Sequence, residues 1–147
     1  MTANLWSQAN PWLLAAAALS VLGAVLHIGV IIGGPDWYRA MGAGEAIAKA
    51  ASRGSPVPAL ITSGIAAVLL VWAAYALSAA GLIPRLPLLP LALVVIAAVL
   101  AARGVLVFAP TWWRPDLSPA FKLWSSLFVL AMALCFAIGT WQRWHQL

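Results

Sequence analysis

At 147 residues, 65% hydrophobic and 7% charged, the chain carries far fewer charges than the roughly one quarter usual in soluble domains. That excludes a water-solvated globule, and a net charge of +5 spread between apolar runs excludes the contiguous basic groove that nucleic acid needs. A single cysteine, Cys135, excludes an intramolecular disulfide and dithiol chemistry, and two histidines, His27 and His145, leave no basis for a multi-histidine metal site.

In chain order, residues 1–12 lack the Lys or Arg cluster of a signal peptide, so the first apolar run is expected to stay in the mature protein. Four apolar runs follow, at about 13–33, 59–80, 88–109 and 121–140. Each approaches the roughly 20 residues that carry a helix across a hydrocarbon core of about 30 Å. Strand-like alternation is absent, which argues against a barrel and for helices that satisfy their own backbone. The expected fold is therefore all-α, a single four-transmembrane-helix bundle. Pro and Gly punctuate the joints: Gly33, Gly34 and Pro35; Pro56 and Pro58; Gly81, Pro84 and Pro87; Pro110, Pro115 and Pro119.

The longest joint, 36–55, sets Glu45, Lys49 and Arg53 among alanines. Glu45 and Lys49 are four apart with the acid first, which predicts a short helix along the membrane surface. Arg39, Lys49, Arg53, Arg103, Arg114 and Lys122 cluster at one face of the bundle, against Arg85 and Arg143 at the other. Because basic residues concentrate on the cytoplasmic side, the expected location is a bacterial inner membrane with both termini on the non-cytoplasmic side.

The two halves, about 13–80 and 88–143, match at an offset of 75 residues. Residues 29–39, from Gly29 to Arg39, align without gaps on 104–114, with glycine, valine, proline, tryptophan and arginine repeated at five positions. Leu60, Ile61, Thr62 and Ser63 then align on Leu123, Trp124, Ser125 and Ser126, which gives the first joint a 12-residue insertion. The bundle is thus expected to consist of two helical hairpins in a parallel repeat, related by a pseudo-twofold axis along the membrane normal.

Polar residues at membrane depth are costly, so they name the candidate site. His27 and Arg103 lie past the middle of the first and third runs, toward the face that carries Asp36, Glu45 and Asp116. Arg103 is expected to point inward and share a cavity with His27. The candidate ligand-binding set is His27, Trp37, Arg39, Glu45, Arg103 and Arg114, with no metal and no cofactor. Bland alternatives stand beside each member: a neutral imidazole bonded to a carbonyl for His27, a stem that snorkels to headgroups for Arg103, and interfacial anchors for Arg39 and Arg114 beside Trp37 and Trp112.

At His27 followed by Gly33 and Gly34, and at Arg103 followed by Gly104, the chain resembles a small family of uncharacterised bacterial four-helix inner-membrane proteins, a domain of unknown function. The resemblance implies the fold and supplies no activity.

Three readings of function result. The favoured one is a non-catalytic protein that binds or carries an amphipathic anionic or lipid-like ligand in a cytoplasmic-side polar pocket. The second is an enzyme on a lipid-soluble substrate, with His27 and Glu45 as acid and base. The third is a structural subunit in which Gly23 and Gly29 serve close helix packing. Expected partners are membrane lipids and a second copy of the chain, and not nucleic acid.

Overall fold

A computed structural model describes residues 9–105, 115 and 117–147, all of whose regular structure is helical. The helices are α1 (Pro11–Ala40), α2 (Glu45–Ser52), α3 (Val57–Ala79), α4 (Leu89–Gly104) and α5 (Pro119–Arg143), and a 3-10 turn, Trp144–Gln146, follows. α1, α3 and α5 are long and apolar enough to cross a membrane. α4 has 16 described residues, about 24 Å at 1.5 Å per residue, and the expected continuation over 106–109 lies outside the described residues.

The chain starts and stops these helices by local chemistry. Asn10 accepts from the backbone N–H groups of Trp12 and Leu13 ahead of Pro11, and Ser118 accepts from Phe121 N ahead of Pro119. Each cap satisfies orphan amides where proline has none to offer. α1 ends with Ala43 N bonded to Tyr38 O and Gly42 N to Arg39 O, around Gly42 at φ +73°. This is a Schellman motif, and its left-handed residue is glycine because a Cβ would be strained there. α2 and α3 end in the same way at Gly54 and Gly81.

The first apolar run does not stop at Gly33. Gly34, at φ 71° and ψ −154°, kinks α1, and Pro35 opens a further helical stretch that runs to Ala40. Proline at the first position of a helix costs nothing, since that N–H has no intrahelical partner. The stretch folds Trp37 back onto the helix, where its indole covers Gly33 and lies over Gly29. Either glycine replaced by a larger residue would collide with or crowd that ring. The predicted surface helix is α2, with Ala48 turned inward and Glu45 and Lys49 outward.

The broadest contacts pair α1 with α3 and α4 with α5, and the α1–α5 interface joins the two hairpins. α3 touches α4 more lightly, and α1 makes no substantial contact with α4. Leu13, Ala16, Leu69, Ala73, Leu93, Ile96, Met132 and Phe136 fill the core. Outward stand Ile32, Leu60, Val71, Leu91, Trp124 and Leu134, all exposed. Apolar residues therefore cover both inside and outside, as suits a protein solvated by hydrocarbon, where close packing holds helices together more than the hydrophobic effect does.

Glycine and alanine set how closely the helices approach. A Cβ on Gly139 would sit 3.2 Å from the backbone N of Leu13, and one on Gly104 would sit 3.3 Å from the backbone N of Leu130. Gly23 faces Leu69 and Phe128, as its packing role requires. Gly29 packs against Trp37 of its own helix rather than against another helix.

Candidate functional site

The charged end of the bundle is built from the last turns of α1, from α2 and from the ends of α4 and α5. Beyond the Gly34 kink, Arg39 donates from Nη1 to Asp36 Oδ1 at 2.9 Å and from Nε to Glu45 Oε2 at 3.1 Å. Lys49 Nζ stands 4.0 Å from Glu45 Oε1. Hydrogen bonding from Arg39 holds the Glu45 carboxyl below the usual carboxylate range, against the opposing effect of partial desolvation. Glu45 is thus committed to Arg39 and Lys49, and ties α2 to the end of α1.

Under this clasp lies a small second core in which Tyr38 and Ala48 meet Val30, flanked by Ala43, Ile47 and Ala51. Tyr38 is 3% exposed, and its hydroxyl has no hydrogen-bond partner among the described residues. Trp37, its neighbour, is half exposed beside it. Phe121 of α5 packs over Gly42, so the α1–α2 turn also touches the start of the last helix.

His27 is half-buried, and its Nδ1 lies 2.7 Å from Gly23 O, one turn back on the same helix. A carbonyl only accepts, so Nδ1 carries the hydrogen and, in the neutral ring, Nε2 presents a lone pair. Arg103 is exposed in the last turn of α4, where a cation suits the negative end of the helix dipole. The expectation that Arg103 points into the bundle is therefore corrected. Arg103 is exposed, and the described part of α4 makes no substantial contact with α1, so the side chain is not brought into a shared interior with His27. No hydrogen bond or ion pair joins His27, Glu45 and Arg103 among the described residues. Arg114 lies outside the described residues, as does Asp116.

Of the helix-opening hydroxyls, Thr62 and Ser126 are buried, Ser63 is exposed, and Ser125 donates to Lys122 O. In the repeat alignment Thr62 pairs with Ser125 and Ser63 with Ser126, so matched positions do not share burial. Among the described residues no three His, Cys, Asp or Glu side chains gather as a metal site would require.

Sequence reasoning missed three polar features. Asn10, besides capping α1, donates from Nδ2 to Gln142 Oε1 at 2.7 Å and so joins the first helix to the last. An Asn before Pro and an apolar run is a readable cap signal. Ser78 donates to Pro84 O and accepts from Leu86 N, both at 3.0 Å, which folds the α3–α4 joint down onto α3. Tyr38 carried no such signal, because an aromatic beside Trp37 reads equally well as an interfacial anchor.

No family model, curated protein or solved structure matches the chain.

Proposed function

We propose that the chain is a four-span protein of a bacterial inner membrane, with both ends away from the cytoplasm, that engages an amphipathic anion of the lipid-headgroup type at the face bearing α2. One observation carries this reading. Among the described residues, ion pairs occupy Arg39 and Lys49 but neither Arg53 nor Arg103, and both of these are exposed. Two cations without counter-ions among the described residues, on the same face as a half-exposed tryptophan, present what an anionic headgroup recognises. The ligand meets a surface shared between helix ends, rather than an enclosed pocket between His27 and Arg103.

An acid–base enzyme is less well supported, because Glu45 is occupied by Arg39 and no hydrogen bond joins it to His27 among the described residues, although His27 Nε2 presents a lone pair. The test is lipid retention by purified protein in mixed micelles of phosphatidylglycerol and phosphatidylcholine, read by native mass spectrometry. The protein should retain phosphatidylglycerol preferentially, and each of Arg53→Ala and Arg103→Ala should reduce that preference about fivefold. Equal retention of both lipids by the unaltered protein would overturn the reading.

A further inference from the structure

At the opposite end of the bundle, a groove of about 270 Å³ opens between α4 and α5. Leu93, Val94 and Ala97 form one wall, Ala137 and Thr140 the other, and Trp141 and Trp144 stand at the mouth. Thr140 is 5% exposed, yet its hydroxyl has no partner among the described residues. Ser20 shows what a buried helical hydroxyl ordinarily does, donating to Ala16 O one turn back at 2.8 Å. Thr140 does not, and an unpaired buried hydroxyl is costly, so the site favours a molecule that brings an acceptor.

The surroundings narrow what that molecule is. Leu91, Val95 and Leu134 are exposed on the two helices that form the groove, so it is reached from the hydrocarbon side. Trp141, 80% exposed, and Trp144 mark the level where indoles settle, at the headgroup boundary. Arg143 follows Thr140 by one turn and is steered at this end by a bond from Nη1 to Gln146 Oε1 at 2.7 Å. Reading outward come the apolar walls, then Thr140, whose buried hydroxyl reaches the groove by a χ1 rotation, and then the cationic Arg143. A phospholipid offers the complementary order of hydrocarbon chain, ester carbonyl and phosphate.

We propose that this groove binds one acyl chain of a glycerophospholipid, with the ester carbonyl accepting from Thr140 Oγ1 after a χ1 rotation and the phosphate held near Arg143. The site is separate from the headgroup face at α2 and lies at the other end of the bundle.

The test uses full-length protein in detergent, with diacyl phosphatidylglycerol and its diether analogue as competing probes, and reads bound lipid by native mass spectrometry. The ether lipid keeps chains and phosphate but lacks the carbonyl. The unaltered protein should retain the ester lipid about fivefold over the ether, in the range of one hydrogen bond. Thr140→Val should abolish that preference and Thr140→Ser should keep it. Ala137→Phe, which fills the groove, should remove one bound lipid of either kind. Arg53→Ala combined with Arg103→Ala should leave the ester preference untouched, so the two sites fail independently. No ester–ether difference in the unaltered protein, or its persistence in Thr140→Val, overturns the proposal. A purely structural Thr140 would change thermal stability without changing that ratio.

Discussion

The two ends of the bundle are fastened by opposite chemistry. At the end where α1 begins, Asn10 and Gln142 join first helix to last, Ser78 pins the α3–α4 joint, and Gly139 lets α5 reach the Leu13 backbone. These are neutral contacts, and Asn10, Ser78 and Leu13 are buried. At the other end, the polar fastening of α2 is the pair of Arg39 with Glu45, flanked by Asp36 and Lys49, all exposed, over the small core of Tyr38 and Ala48. Buried neutral bonds keep their strength in salt and across pH, whereas exposed ion pairs weaken in both. One end is built as a fixed joint and the other as an adjustable one.

The largest effect should come from filling the space at Gly139. A side chain there meets Leu13 Cγ at 2.6 Å and its backbone N at 3.2 Å, so α1 and α5 must separate. Gly139→Leu should cost about 1–3 kcal/mol, the usual range for overpacking, as a fall in the melting temperature in detergent. Gly64→Leu on α3, where an added Cβ meets nothing within 4 Å, should leave it nearly unchanged. Equal losses at both positions would mean that the joint is not set by backbone approach.

Next in size is the hydroxyl of Ser78, which serves one donor and one acceptor of the α3–α4 joint. Ser78→Ala leaves Pro84 O and Leu86 N without that partner and should cost about 1–2 kcal/mol. Asn10→Ala should cost about 1 kcal/mol as a lost helix cap, together with the link to Gln142. Both losses should be the same at low and high salt. A strong salt dependence in either would contradict the contrast between the two ends.

The same contrast explains what could be read in the sequence. The all-helical fold and the short α2 helix were legible, because length, hydropathy and the Glu45–Lys49 spacing act locally, whereas of the four expected spans three are long and apolar enough among the described residues. The turn of α1 at Gly34 was only half legible. The glycine marked the break, but in the sequence Pro35 reads as part of that break rather than as the first position of a further helical stretch that lays Trp37 on Gly33. The placing of Arg103 depended on which helices pack, a property of the whole bundle that depth and repeat register do not determine. The repeat expected from the sequence does not carry matched packing at Gly29 and Gly104. Gly29 lies against Trp37 of its own helix, whereas Gly104 lies against Leu130 of the next.

The smallest effect belongs to the adjustable end, and its sign follows from Glu45. Arg39 holds this carboxyl below its ordinary value, so the folded protein binds its proton less readily than the unfolded chain does. The contribution is fully present above the ordinary carboxylate value of about 4.3 and is lost as pH falls through the lower folded value. Global stability should hardly move, because the pairs are exposed. What should move is α2 itself. Its backbone amides from Lys49 to Arg53 should exchange with solvent faster below about pH 4 than at neutral pH, after correction for intrinsic rates. Glu45→Gln should produce that faster exchange already at neutral pH and remove its pH dependence. The amides of α5 near Phe136, deep in the core, should be indifferent to both changes. If α2 and α5 amides loosen together as pH falls, the ion pairs fasten the whole bundle and the two ends are not independent.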